Sequence, residues 1–168
     1  MKKILVIGCP GSGKSTFSKA LHNVTGIPLI HLDNLFWNAD QTTVEQSVFR
    51  EKLAAVLQED AWIIDGNYGS TLEMRMQACD TVIFLDIPPD VCLEGVCERK
   101  GTARSDLPWV ETEEDPEFTA YIRGFPTQGR PQILRLLERY ADKEHLIFTD
   151  RSEADVFLET YREQHPFG

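Results

Sequence analysis

Gly8-Cys9-Pro10-Gly11-Ser12-Gly13-Lys14-Ser15-Thr16 follows directly on the apolar run Lys3-Ile4-Leu5-Val6-Ile7. A strand running into Gly-x-x-x-x-Gly-Lys-Ser and then into a helix is the Walker A pattern of a phosphate-binding loop. Glycines let the backbone curl until several N–H groups converge on one phosphate, and the helix that follows adds the positive end of its dipole. Gly8, Gly11, Ser12, Gly13, Lys14, Ser15 and Thr16 are therefore the expected nucleotide-binding residues. Lys14 supplies a mobile charge for the β- and γ-phosphates, and the Ser15 hydroxyl is the expected ligand of Mg2+. The cofactors implied are ATP and Mg2+.

Outward from that loop, short apolar runs alternate with helical patterns. The runs are Ile4 to Ile7, Pro28 to Leu32, Trp62 to Ile64, Thr81 to Leu85 and His145 to Phe148. Such alternation predicts an α/β fold, a parallel sheet wrapped by helices on both faces. The first helix should run from Lys14 to about Val24, closed by Gly26 and Pro28. A second should span Thr43 to Gln58 on a stripe of Val44, Val48, Leu53, Val56 and Leu57. Ile133, Leu136, Leu137, Tyr140 and Ala141 keep helical spacing, as do Ala154, Phe157, Leu158 and Tyr161, with Ser152 as the expected N-cap of the last stripe. The least regular stretch, 100–131, is broken by prolines and glycines and carries the acidic cluster Glu111, Glu113, Glu114, Asp115 and Glu117. Its default reading is a solvated loop and helix start, but its place between the fourth and fifth strands is where a lid would sit.

A chain of 168 residues with 42% hydrophobic content can bury one good core and is short for two domains, so one domain with a lid-like insertion around 100–131 is expected. The net charge is −10, and residues 85–168 hold 18 acidic against 10 basic side chains. That balance repels phosphate backbones and anionic lipid, and no Lys/Arg-rich run opposes it, which argues against nucleic acid and membrane as direct partners. Cys9, Cys79, Cys92 and Cys97 form no CxxC pair and have no His at zinc spacing, so reduced thiols are expected. With no signal-peptide segment and no bilayer-length apolar run, the expected setting is cytoplasmic.

Trp62-Ile63-Ile64-Asp65-Gly66 ends a strand on a carboxylate. A carboxylate there can hold the magnesium ion of a phosphate-loop protein, or can simply cap the next helix. Asp86 is its rival one strand later, but it stands directly before Ile87-Pro88 and could serve that turn. Asp33, at the end of the second strand, falls on the ligand side of an open α/β sheet. It could accept a hydrogen bond from an acceptor hydroxyl or act as its base, or it could cap a helix. Phe36 and Trp37 could stack on a base or pack in the core. Asn67, Tyr68 and Arg75 follow Asp65-Gly66 and are expected to face the same cleft, with Arg75 either clamping an anionic group of the second substrate or standing on a solvated helix face. Arg99 and Arg104, with Arg123 and Arg130 near the irregular segment, are candidates for stabilising a transferring phosphoryl group, against ordinary salt bridging to the acidic cluster. His22, His31, His145 and His165 carry no partner pattern and are assigned structural or exposed roles.

Taken together, these segments resemble the nucleoside and nucleotide kinase branch of phosphate-loop enzymes. The chain is similar in particular to the adenylate-kinase-related proteins called DNA topology modulation proteins. The resemblance rests on Gly8 to Thr16, His31-Leu32-Asp33-Asn34-Leu35-Phe36-Trp37, Trp62 to Tyr68, Ile83-Phe84-Leu85-Asp86-Ile87-Pro88, Arg104-Ser105-Asp106 and Arg130-Pro131. It implies a five-stranded parallel sheet in the order 2-3-1-4-5 and favours Asp65 over Asp86 as the magnesium-linked carboxylate. It implies a kinase acting on a small-molecule acceptor, with a nucleotide-binding regulatory switch as the alternative. Two departures stand out: Glu94 and Gly95 occupy a helix where relatives show a further Arg, and Asn67-Tyr68 replaces the Phe-Pro-Arg of adenylate kinases.

Overall fold

The computed structural model describes residues 1–101, 108 and 115–166. Five strands, β1 (Lys3–Gly8), β2 (Leu29–His31), β3 (Trp62–Asp65), β4 (Thr81–Leu85) and β5 (Glu144–Phe148), form one parallel sheet in the order β2-β3-β1-β4-β5. Ile4, Leu5, Val6 and Ile7 are wholly buried, as a central parallel strand covered on both faces requires. The register sets Val6 beside Asp65 and Gly8 beside Leu85, so β1 delivers the phosphate loop to the same sheet edge at which β3 delivers its carboxylate.

Eight helices are found among the described residues. Those following β1 and β2 are α1 (Lys14–Thr25) and α2 (Leu32–Phe36), and those around β3 are α3 (Gln46–Leu57) and α4 (Gly69–Ala78). The C-terminal half holds α5 (Pro89–Arg99), α6 (Pro116–Gly124), α7 (Gly129–Arg139) and α8 (Arg151–Gln164). Helix α1 closes at Gly26, whose left-handed backbone lets its N–H reach the His22 carbonyl. Phe17, Phe148 and Phe157 meet at centroid distances of 5.5–6.4 Å and pin α1 and α8 together over β5.

Three expectations are corrected. The second helix starts at Gln46 rather than Thr43, and its buried stripe is Phe49, Leu53 and Leu57, while Val48 is exposed. Spacing of four repeated twice puts one residue per turn on the core face, and Phe49 fits that series where Val48 does not. The N-cap of α8 is Asp150, not Ser152, because the Asp150 carboxylate accepts from the Ser152 N–H at 2.7 Å. Leu32 opens α2 instead of closing β2, which moves Asp33 from a strand end onto a short helix. Within 100–131, residues 102–107, 109–110 and 111–114 lie outside the described residues, so most of the acidic cluster does too. The remainder is more ordered than a solvated loop. Asp115 caps α6 by accepting from the Glu117 and Phe118 N–H groups, and Ile122 and Phe125 enter the core.

Candidate functional site

The phosphate loop joins β1 to α1 and borders a cleft of about 1410 Å3. Two glycines are required by its geometry. Gly11 has φ 84°, and a Cβ there would fall 2.0 Å from the Cys92 carbonyl oxygen. Gly13, at φ 98°, forms the left-handed entry to α1. The turn is held by the Ser12 N–H donating to the Cys9 carbonyl at 3.0 Å. Lys14 Nζ donates to the Gly8 and Cys9 carbonyls at 3.0 and 3.1 Å, so its charge is stored over the loop itself. Burial pulls the Lys14 ammonium below its ordinary value, opposed first by the nearby Asp65 charge. Ser15 and Thr16 line the cleft on the first turn of α1, whose leading N–H groups have no intrahelical acceptor. The Ser12 hydroxyl is 1% exposed with no hydrogen-bond partner, a buried polar atom of the kind a bound phosphate oxygen would satisfy.

Asp65 sits at the end of β3, 4% exposed, and accepts a 2.7 Å hydrogen bond from His31 Nδ1. His31 therefore has a definite task that its lack of a sequence pattern concealed: it fixes the orientation of this carboxylate. Asp86, the rival, is occupied elsewhere. Its two oxygens receive Arg130 Nε at 3.0 and 3.1 Å and Nη2 at 3.0 Å, a forked pair that raises the guanidinium's pKa through hydrogen bonding to the carboxylate. Arg130 is thereby tied to the β4–α5 connection and is not available as a phosphoryl-stabilising group.

Asn67 serves the loop: its Oδ1 accepts from the Gly8 N–H at 3.2 Å. Tyr68 lines the cleft and donates its hydroxyl hydrogen to Asp33, while the Trp37 indole hydrogen-bonds to the same hydroxyl. Burial and the Asp33 charge push the Tyr68 phenol well above its usual range, so it remains a donor to the carboxylate. Phe36 and Phe49 pack on the Tyr68 ring at centroid distances of 4.8 and 5.3 Å, which assigns Phe36 to core support and leaves Trp37 on the cleft wall.

Arg75 departs most from expectation. It is 0% exposed and presents nothing to the cleft. Its Nη1 donates to the Gly66 carbonyl at 2.8 Å and its Nη2 to those of Asn67 and Tyr68 at 2.9 and 3.0 Å. It is neither an anion clamp nor a solvated helix residue. It is the internal brace of the turn that carries Asn67 and Tyr68. The direction in which a helical side chain points depends on helix phase against the preceding turn, which sequence spacing does not supply.

Arg99 lines the cleft from the last turn of α5, near enough to Lys14 to oppose its charge. Arg104 lies outside the described residues. Arg123 borders a separate shallow recess on α6 rather than the main cleft. Arg151, which the sequence reading passed over, donates from Nη2 to the Gly11 carbonyl at 2.7 Å and lines the cleft. One signal could have found it, since Arg151 follows the C-terminal end of β5, where ligands gather in open α/β sheets.

No protein-family model matches the sequence, and no curated protein matches it. Solved structures do resemble it in fold. A shikimate kinase from Acinetobacter baumannii in complex with shikimate has a TM-score of 0.64 at 14% identity, over 98% of this chain and 94% of that one. A shikimate kinase from Bacteroides thetaiotaomicron has 0.54 at 22% identity over 96% of each chain. An unliganded sugar kinase from Janibacter sp. HTCC2649 has 0.55 at 14% identity, over 97% of this chain and 93% of that one. The chain thus has the fold of P-loop kinases, and at these identities the likeness speaks for the fold.

Proposed function

We propose that this protein is an ATP-dependent small-molecule kinase. The observation that carries the reading is that the Gly8–Thr16 loop with Lys14, the Asp65 carboxylate and the Asp33 carboxylate line one cleft. A nucleotide-binding loop alone would not need a second, tyrosine-oriented carboxylate across from it. The residues fit a magnesium-bound nucleotide, since the loop offers an unpartnered buried Ser12 hydroxyl just ahead of the N-terminus of α1, the end of a helix that favours an anion. Ser15 and Asp65 would hold the metal, which supplies positive charge to the phosphate oxygens.

In this reading Lys14 leaves the Gly8 and Cys9 carbonyls for the β- and γ-phosphates. Asp33, held by Tyr68, accepts the acceptor hydroxyl's hydrogen bond and takes its proton as the new O–P bond forms and the bond to ADP breaks. Arg99 and Arg104 neutralise the equatorial oxygens, and the insertion around 100–131 acts as the lid that brings Arg104 in. The acidic balance of the chain supports small molecules rather than nucleic acid as partners. The segments quoted in the sequence analysis support membership of the adenylate-kinase-related topology modulation group.

Two measurements on the wild type and Lys14→Ala test the proposal: calorimetric titration with MgATP, and ADP release across a panel of hydroxylated acceptors. Wild type should bind and turn over in the presence of an acceptor, and the variant should lose affinity and turnover together. Nucleotide binding with no acceptor-dependent ADP from any compound would favour a regulatory switch instead.

A further inference from the structure

His31 and Asp65 are register partners on β2 and β3, so their side chains leave the same face of the sheet at its C-terminal edge. They meet there as a buried pair, 7% and 4% exposed, with His31 Nδ1 donating to Asp65 Oδ2 at 2.7 Å. That hydrogen bond fixes the imidazole's tautomer and, from the other side, the rotation of the carboxylate. Asp65 lines the cleft, and His31 stands behind it.

Two cations draw on the same carboxylate. Burial pulls both the Lys14 ammonium and the Arg75 guanidinium below their ordinary values, and for each the first charge opposing that pull is Asp65. Both are anchored elsewhere, Lys14 on the Gly8 and Cys9 carbonyls and Arg75 on those of Gly66, Asn67 and Tyr68. A carboxylate released from the imidazole would rotate toward one of these charges, because opposite charges attract strongly where water is excluded. Turned so, it would no longer be set for a metal beside Ser15. We infer that His31 is a positioning residue of the magnesium site, holding Asp65 in its metal-binding rotation and so setting the protein's affinity for the metal that accompanies the nucleotide. A hydrogen bond of this kind, made to a metal-binding carboxylate from behind, typically carries about tenfold to a hundredfold in metal affinity. The inference rests on the kinase reading above, in which Ser15 and Asp65 hold the metal, and deepens it.

The test measures what magnesium adds to nucleotide affinity. The non-hydrolysable β,γ-imido analogue of ATP is titrated calorimetrically into the full-length wild type, His31→Leu and His31→Asn, once with excess Mg2+ and once with EDTA. The readout is the ratio of the two affinities. Wild type should bind more tightly with Mg2+, and His31→Leu should lower that ratio by about tenfold to a hundredfold. His31→Asn, whose Nδ2 hangs where the imidazole Nδ1 did, should recover most of it. A wild-type ratio in His31→Leu, even with both affinities reduced alike as a merely structural role would reduce them, would overturn the inference. So would a folded His31→Asn no better than His31→Leu. Urea unfolding establishes that each variant is folded. Should His31→Leu fail to fold, His31→Gln replaces it: its amide nitrogen lies one bond further out, so a ratio below that of His31→Asn is expected and an equal one would overturn the inference. Wild type binding the analogue equally with and without Mg2+ would also overturn it and leave nucleotide binding standing. No binding in either series would sink the kinase reading itself, and this inference with it.

Discussion

Arg151 Nη2 lies 2.7 Å from the Gly11 carbonyl oxygen, joining residues 140 positions apart and fastening the start of α8 to the middle of the phosphate loop. A hydrogen bond from a charged donor is worth about 1.5–3 kcal/mol, and the loop's conformation is what nucleotide affinity depends on. Arg151→Ala should weaken MgATP binding by roughly tenfold to a hundredfold, with Arg151→Lys in between because it keeps the charge and loses the fork. Calorimetry on both variants checks this. Unchanged affinity in Arg151→Ala would show that the loop holds its shape unaided.

Gly95 completes that junction. A Cβ there would sit 2.4 Å from the Gly11 carbonyl oxygen and 2.7 Å from Arg151 Nη2. The side chain could swing away, but the loop backbone cannot yield without moving the phosphate cradle. Gly95→Ala is expected to destabilise the fold by about 1–3 kcal/mol through overpacking and to lower nucleotide affinity as well. Denaturant unfolding and MgATP titration of the same variant measure the two effects.

Removing the Arg75 side chain should be costly although it touches no substrate. Arg75→Met leaves the Gly66, Asn67 and Tyr68 carbonyls without their donor and takes a compensating charge from the neighbourhood of Asp65. The expected loss is about 3–5 kcal/mol, the range seen when one partner of a buried charged network is deleted. Urea unfolding gives the value. Near-wild-type stability would contradict the bracing role.

Asp80 gives the fold an acid limit. Its carboxylate accepts from the Lys2 and Lys3 N–H groups at 3.0 and 2.9 Å and from the Thr81 hydroxyl at 2.7 Å. Burial pushes its pKa up, but those hydrogen bonds outweigh it and hold the group below its usual 3.8. A carboxyl depressed in the folded state contributes stability above its unfolded pKa and loses it as pH falls through the folded one. Urea midpoints of the wild type should therefore drop below about pH 4, and Asp80→Asn should flatten that limb of the curve. A variant as acid-sensitive as the wild type would assign the effect to other carboxylates.

What the sequence made legible was mostly local. The loop from Gly8 to Thr16 and its strand are contiguous, and apolar runs such as Thr81 to Leu85 reveal strands because a doubly covered sheet tolerates little else. The strand order came from resemblance rather than from pattern. The errors fell where a residue's role depends on distant chain. Arg75 and Arg151 are both arginines beside predicted cleft elements, yet one is turned inward by the phase of α4 and the other reaches the loop from the far end of the chain. Asp86 and Arg130 looked like two independent candidates until folding paired them across 44 positions. His31 lacked any local signature because its partner, Asp65, stands on the adjacent strand in register rather than nearby in sequence.

The central place of β1 also governs how this chain can be made. Its two flanking strands arrive only at residues 62–65 and 81–85, and β5 is added beyond β4 from residue 144 onward. A nascent chain on the ribosome thus carries Ile4 to Ile7 with both sides open until β3 has been made, and with one side open until β4 has. Pairings of such long sequence separation are slow to close, and unpaired apolar strands invite aggregation meanwhile. The phosphate cradle, translated ahead of both strands that flank β1, acquires its working shape only after them, and yields of the folded protein should therefore respond to translation speed and chaperone supply.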